Sequence, residues 1–232
     1  TATTATEAYV INHLGMNDPV VIRGPVTRNN ITLNVIPISD ELGGIKDADL
    51  IEQHKRKIIL EWLKHIGSRF IVQHYRAGGI AVRLSAQKSF AADYYHGKCE
   101  DKSKRLRRFR EGKTCIMVAT NAFGLGVNIP DIRLVIHHAP LIGLDDYLQE
   151  IGRAGRDGQK AEALLLWHPY DFTLNRSLVR KKQLDLTGKE LRARLDALNA
   201  FKQYDRNTHA CRWQLIHNFF GEKKGKKCKK TL

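Results

Sequence analysis

The chain is poor in cysteine, in long apolar runs and in acidic residues relative to basic ones. Its four cysteines, at positions 99, 115, 211 and 228, are too few and too scattered for a disulfide framework, so we expect an intracellular, reducing compartment. No run of about 18 apolar residues is present, and no amphipathic basic segment carries Trp and Phe on one face. Both observations argue against a membrane partner.

Two signatures of a self-sufficient nucleotide site are also missing. The sequence has no G-x-x-x-x-G-K-[ST] segment to cradle phosphates and no Asp-Glu-x-His box to hold Mg²⁺. The chain begins without an initiator Met, a charged start or an apolar signal core. We therefore expect a piece of a longer protein.

Basic residues are abundant. The 39 Lys and Arg against 24 Asp and Glu give a formal charge of +15. A charge of this size points to a polyanionic partner, and nucleic acid is the first candidate.

Short apolar runs of β-forming residues alternate with charged helical stretches, and this alternation predicts a parallel sheet flanked by helices. The predicted strands are 31–38, 70–73, 93–96, 115–120, 134–138 and 163–167. Helices over 45–65 and 101–111 should lie on the sheet faces, and three more, over 170–182, 188–204 and 208–220, form a module after the sheet. Cys99 and Cys115 belong to the α/β part, with Cys115 predicted as a buried strand residue.

The segment QEIGRAGRDG, residues 149–158, places Arg153 and Arg156 three positions apart on an expected helical turn. Two guanidiniums projecting to one side suit a polyphosphate, because planar forks bind phosphate oxygens bidentately and stay charged. In phosphoryl transfer, such an arginine stabilises the charge that develops on the γ-phosphate. The alternative is a glycine-rich surface turn with solvated arginines.

A second segment, VATNAFGLGVNIPDIRLVIHHAP, runs from a strand through a glycine-rich turn into another strand. Thr120 at the strand end, with Gly124 and Gly126 in the turn, can approach a sugar-phosphate backbone closely. Asn128 offers an amide to a ribose or a bound nucleotide. A purely structural loop could have the same composition.

The order of TAT (1–3), RNNI (28–31), YYHGK (94–98), FGLGVNIPDIRLVIH and DDYLQEIGRAGRDG resembles the C-terminal half of a RecQ-type superfamily 2 DNA helicase. The last two segments look like helicase motifs V and VI. The segments CRWQLIHNFFGE and CKK have a Bloom-type appearance. By analogy with that type we expect a eukaryotic, fungal source, a nuclear location and roles in DNA repair and recombination.

The resemblance implies three parts. Residues 1–24 would hold the end of motif III and an interdomain segment, 25–168 the second RecA-like domain, and 169–232 a truncated zinc-binding-type helical module with a basic tail. The complete protein would be an ATP-dependent 3′ to 5′ DNA helicase, both a hydrolase and a strand-separating isomerase, acting on single-stranded DNA and duplex junctions. ATP with Mg²⁺ would be held mainly by the N-terminal RecA-like domain of the same protein, so this chain alone is expected to be inactive.

The resemblance also distributes roles among single residues. Those facing ATP would be the motif VI arginines Arg153 and Arg156, together with Gln149, Gly152, Asn128 and Gly126. Those facing DNA would be Thr120, Gly124, Arg76 and His96. Arg76 lies in a segment, IVQHYRAGGIAVRLSAQ, that departs from the usual motif IV, and for His96 a structural role bridging strand and loop is favoured over a DNA contact.

The segment 210–222 followed by Cys228 looks like the family's zinc-binding module. A structural zinc needs four ligands, and only Cys211 and Cys228 stand at matching positions. His209 and His217 could substitute, but each is expected on a helix surface or in core packing. We therefore expect remnant ligands and no bound Zn²⁺.

Two other functions compete with the helicase segment. The first is a non-catalytic or decayed nucleic-acid-binding module, favoured by the irregular motif IV and the missing zinc ligands. The second is an RNA helicase of the DEAD-box type, disfavoured by FGLGVN and by the cysteine-bearing appendix.

Overall fold

The computed structural model describes residues 4–22, 24–38, 47–65, 69–73, 91–120, 123, 127–181 and 187–222. Within these ranges the strands are β1 (Ile31–Pro37), β2 (Arg69–Gln73), β3 (Ala92–Tyr95), β4 (Ile116–Ala119), β5 (Ile132–His137) and β6 (Ala161–Trp167). The helices are α1 (Thr4–His13), α2 (Ala48–His65), α3 (Lys102–Arg110), α4 (Leu144–Ile151), α5 (Pro169–Lys181), α6 (Gly188–Arg206) and α7 (Arg212–Phe219).

The six strands form one sheet in the order β1-β6-β5-β2-β4-β3, and every neighbouring pair is parallel. The predicted parallel sheet is confirmed. All four residues of β4 are buried, as are six of the seven in β6. Continuous burial is expected of parallel strands covered on both faces, and it explains why β4 and residues 163–167 of β6 read as unbroken apolar runs.

Helices cover both faces, as the sequence predicts. On one face, α2 packs through Ile51, Ile59 and Leu63 against strand residues such as Phe70 and Val72. On the other, Phe109 of α3 and a row of α4 side chains pack against the alternate strand residues. The α4 side chains are Leu144, Tyr147, Leu148 and Ile151.

The helical module, α5 to α7, shares its core with the sheet domain. Phe201 and Tyr204 of α6 pack against Tyr147 of α4, with ring centroids 5.4 and 5.8 Å away. Trp213 and Ile216 of α7 belong to the same buried cluster. The predicted helical module after the sheet is therefore present and packed onto the sheet domain.

A buried ion pair fastens the module to the opposite face. The ammonium of Lys55 in α2 lies 2.9 and 2.7 Å from the two carboxylate oxygens of Asp171 in α5. Asp171 also accepts a hydrogen bond from the backbone N–H of His168 at 2.7 Å. Burial lowers the pKa of Lys55, while the Asp171 charge opposes that shift.

The prediction that Cys115 is a buried strand residue is wrong. Cys115 lies directly before β4 and its side chain is exposed, whereas Cys99 is buried. The backbone of Cys115 does continue the ladder, because its N–H donates to Ala91 and its carbonyl accepts from Phe70, both at 2.9 Å. The apolar pattern of the sequence predicts that Cys115 pairs with the neighbouring strands. Whether its side chain is buried depends on which residues pack over the end of the strand.

Among the helices of the described ranges, none combines the length and the apolar character needed to cross a bilayer.

Candidate functional site

The two arginines lie in a tight turn that follows α4, and not within a helix as the sequence suggested. In this arginine turn, residues 152–158, the N–H of Arg153 donates to Glu150 at 3.2 Å and that of Ala154 to Ile151 at 3.0 Å. Helix α4 ends at Ile151, and the turns that follow it end at Gly155, which adopts a left-handed φ of 54°, a conformation that glycine adopts readily and that commonly follows a helix.

Gly155, directly before Arg156, is held by hydrogen bonds on both its N–H and its carbonyl. Its N–H donates to the carbonyl of Ile132 at 2.8 Å. Its carbonyl accepts from Asn30 Nδ2 and from Arg28 Nη2, each at 2.8 Å. A Cβ at Gly155 would lie 2.5 Å from Asn30 Nδ2, so a side chain does not fit without displacing Asn30.

Arg156 is exposed and reaches back to the segment before β5. Its Nη1 lies 3.0 Å from Asn128 Oδ1 and 3.2 Å from the carbonyl of Val127. The structure thus brings together Asn128 and Arg156, two residues that sequence analysis selected separately. Gly126 lies outside the described residues.

Arg153 occupies a different environment, since its side chain is buried with only 7% exposed. Burial lowers the pKa of the Arg153 guanidinium, the nearby Glu150 raises it, and Arg156 lowers it further. Glu150 Oε2 lies 2.8 Å from Nε2 of the buried His137. The two arginines therefore differ in exposure: Arg156 faces solvent, whereas Arg153 is packed inside the protein.

The other residues selected as ATP-facing adjoin the turn. Gln149 is exposed near the end of α4, and the half-buried Gly152 is the first residue after that helix.

The candidate DNA-facing residues lie at the other end of the strands. Thr120 follows the carboxyl end of β4 and His96 that of β3, whereas Asn128 and the arginine turn precede β5 and β6. Because all these strands are parallel, the two groups occupy opposite edges of the sheet. Arg76 and Gly124 lie outside the described residues.

His96 organises the turn after β3. Its ring stacks on Tyr94 at a centroid distance of 5.4 Å, and its Nδ1 accepts from the backbone N–H of Lys98 at 3.2 Å. The backbone N–H of His96 donates to Cys99 Sγ at 3.5 Å. These contacts fit the structural role favoured for His96, and its proposed DNA contact stays a prediction.

A basic surface lies on α3. Phe109 anchors this helix in the core, and Arg105 is engaged by Asp93 and by the ring of Tyr94, 3.9 Å from its guanidinium carbon. The outward side chains are exposed and basic; they are Lys104, Arg107, Arg108 and Arg110.

The described residues do not provide a zinc donor set. Cys211 stands at the start of α7, Cys228 lies outside the described ranges, and His209 is exposed in a loop. His217 is buried and engaged by Thr27 Oγ1 and by the carboxylate of Glu222. Within the described part of the chain, no cluster of three or more His, Cys, Asp or Glu could hold a metal ion.

Sequence reasoning missed the supporting roles of Arg28 and Asn30. Both lie in the RNNI segment, which contributes to the family resemblance but by itself indicates no function for them. The available signal was their position directly before β1, at the edge where the arginine turn precedes β6. That signal becomes informative only once β1 and β6 are known to be neighbours.

Two family domains match the chain. Residues 53–158 match the helicase conserved C-terminal domain, and residues 169–231 match the RecQ zinc-binding domain.

Curated relatives extend the match to the whole chain. The ATP-dependent DNA helicase RecQ of Pasteurella multocida is 30% identical over 98% of this chain and 34% of its own length. The ATP-dependent DNA helicase Q-like 4B of Arabidopsis thaliana is 30% identical over 100% of this chain and 21% of its own. The RecQ-like DNA helicase BLM of Xenopus laevis is 25% identical over 96% and 16%. The chain thus spans about a third or less of the length of these relatives.

Among solved structures, a DEAD box protein from Methanococcus jannaschii superposes with a TM-score of 0.51 at 21% identity, covering 79% of this chain and 48% of that one. This likeness supports the RecA-like fold. The parallel sheet, the helical module behind it and both domain matches place the chain in the RecQ family, as a C-terminal helicase region.

Proposed function

We propose that this chain contributes residues to an ATP site that is held mainly by another domain of a DNA helicase, and that it lines part of the DNA path. Its relatives are named as ATP-dependent DNA helicases, and the sequence lacks a phosphate cradle of its own. ATP with Mg²⁺ would therefore be held by an N-terminal RecA-like domain that faces the arginine turn.

The contact between Arg156 and Asn128 is the observation that carries this proposal. It joins an exposed guanidinium and an amide at one sheet edge, on a turn whose central peptide is fixed on both sides. Preorganised donors of this kind stabilise developing charge without having to reorient during the reaction. When the cleft closes, Arg156 would reach the γ-phosphate, with Arg153 behind it.

The DNA path would run along the opposite sheet edge, past Thr120 and His96. Closing and reopening of the cleft would shift the two domains along one strand. The 3′ to 5′ direction is carried over from the family resemblance.

The test is a charge reversal in the full-length protein. Arg156→Glu should lower DNA-stimulated ATPase kcat by about 10³-fold or more, the range typical of catalytic arginines in phosphoryl transfer. ATP binding should be largely retained, because the nucleotide is held mainly by the other domain. The matched control is Arg192→Glu, the same reversal on the exposed surface of α6, which should leave turnover unchanged.

The wild-type protein in the same assay separates the helicase from a non-catalytic nucleic-acid-binding module. If the full-length wild type binds DNA but shows no DNA-stimulated ATPase, the binding module is the better description. If it hydrolyses ATP and Arg156→Glu leaves turnover unaltered, the role of the arginine turn is refuted.

A further inference from the structure

We propose that Arg28 and Asn30 are positioning residues for the arginine turn, and that α7 of the helical module holds these two residues in place. This inference rests on the proposed function of the turn. It gives the helical module a part in setting the geometry of the ATP-facing residues.

The first step is the grip of Arg28 and Asn30 on the turn. Both donate to the carbonyl of Gly155, which with Ala154 separates the two arginines. Asn30 Nδ2 also donates to the carbonyl of Gln159 at 2.9 Å. The backbone carbonyl of Asn30 accepts from the N–H of Ala161 at 2.8 Å. Asn30 therefore ties the turn to the start of β6 at three points.

The second step is the set of hydrogen bonds between the α7 region and the segment that carries these residues. The indole N–H of Trp213 donates to the carbonyl of Ile31 at 3.1 Å in a buried contact. His217 engages the hydroxyl of Thr27, and Glu222 accepts from the backbone N–H of Val26 at 3.2 Å. The segment 26–31 is thus bonded at both ends to α7 and the residues directly after it, 182 to 196 positions later in the chain.

Apolar packing reinforces these polar contacts. Trp213 and Phe220 belong to the same buried cluster as Ile31, as Ile151 directly before the arginine turn and as Ala154 within it. The segment 26–31 therefore lies between α7 and the turn, in contact with both.

The consequence is a thermodynamic coupling. Local opening of α7 would release segment 26–31, and that release would remove the two donors that fix Gly155. Parts of a protein can open locally without global unfolding. The arginine turn should therefore become less ordered when α7 is less tightly docked.

The first experiment compares Asn30→Asp with Asn34→Asp. Each change removes an amide donor and places a carboxylate beside an acceptor, since Asn34 Nδ2 donates to Glu162 Oε2 at 2.9 Å. Only Asn30 touches the arginine turn. In the 232-residue chain, hydrogen exchange of the Gly155 amide should accelerate in Asn30→Asp and stay near wild type in Asn34→Asp.

In the full-length protein, Asn30→Asp should lower the kcat of DNA-stimulated ATPase by about 10- to 100-fold, the loss expected from a misplacement of about 1 Å. The KM for ATP should change by less than about twofold, because losing an interaction made only in the transition state lowers kcat and kcat/KM equally. A merely structural role would instead lower the Tm of both Asn variants with no selective effect on kcat.

The second experiment tests α7 and does not depend on how well Asn30→Asp folds. Trp213→Phe removes the indole donor but keeps an aromatic ring, and it should accelerate Gly155 exchange and lower kcat in the same direction as Asn30→Asp. Trp167→Phe is the control, because the Trp167 indole is buried but makes no hydrogen bond in the described part of the chain.

The outcomes separate this inference from the proposed function. Unchanged exchange and kcat in folded Asn30→Asp and Trp213→Phe would overturn the inference while leaving the role of Arg156 intact. Unchanged turnover in Arg156→Glu would refute the proposed function, and the inference that rests on it, whatever the exchange data show.

Discussion

Gly155 and Gly158 both have left-handed backbone angles, with φ of 54° and 80°, yet their surroundings differ. A Cβ at Gly158 would meet nothing within 4 Å. At Gly155 it would lie 2.5 Å from Asn30 Nδ2, 2.7 Å from the Gln159 carbonyl and 3.0 Å from Ala161 Cβ. Position 155 therefore requires glycine both for its backbone angle and for lack of space, whereas position 158 requires glycine only for its backbone angle.

This difference gives a prediction at the scale of single residues. Gly158→Ala should lower the free energy of unfolding by about 1 to 2 kcal/mol through backbone strain alone. Gly155→Ala should cost clearly more, because it also displaces Asn30. Urea denaturation of the two variants measures the comparison, and equal shifts of the midpoint would contradict it.

The family resemblance assigned Arg153, Arg156 and Asn128 to the ATP-facing side, and the structure places Asn128 against Arg156. The sequence did not predict that Arg153 is buried, because burial depends on the surrounding tertiary structure. Nor did it identify Arg28 and Asn30 as partners of Gly155, since they lie about 125 positions earlier in the chain.

Among the elements, α3 combines a buried anchor with an exposed basic face. Arg105 is committed to Asp93 and Tyr94, so Lys104 and Arg108, one helical turn apart, are the better candidates for contacts with phosphates. Their long, exposed side chains can neutralise phosphates without reading bases.

We expect the double variant Lys104→Ala and Arg108→Ala to weaken DNA binding of the chain about equally across sequences. The slope of log K against log salt should become shallower by about 0.9 for each phosphate that the variant no longer neutralises. A matched removal of charge on α6, Lys189→Ala with Arg192→Ala, controls for net charge. Titration by fluorescence anisotropy at several salt concentrations measures both, and equal effects would rule out a specific role for α3.

Strands were the elements best predicted from sequence, because their burial on both faces leaves continuous apolar runs such as β4 and residues 163–167 of β6. Helix α4 was not recognised as a separate helix. It has only eight residues and runs into the glycine-rich turn, so its pattern is short and interrupted.

For the whole molecule, the ion pair between Lys55 and Asp171 is a buried contact between the helical module and the sheet domain. It joins two elements that lie in different matched domains, and both side chains are almost fully buried. The sequence predicted that a helical module follows the sheet, but this docking could not be predicted because neither residue is distinctive in its local pattern.

Removing one partner leaves a buried, uncompensated charge. Asp171→Ala should therefore lower the free energy of unfolding by about 3 to 5 kcal/mol, while the double variant Lys55→Met with Asp171→Leu should recover most of that loss. Chemical denaturation followed by circular dichroism measures both. A double variant as unstable as Asp171→Ala would show that the loss comes from the backbone contact with His168 and not from the buried charge.

The exposed thiol of Cys115 has a practical consequence for the sheet edge it occupies. It lies directly before β4, at the same edge as Arg156, and the other reduced cysteine in the described residues, Cys99, is buried. A maleimide dye would therefore react at Cys115 in preference to Cys99. The fluorescence of that dye would report the approach of a neighbouring domain to this edge, with the native arginines left in place.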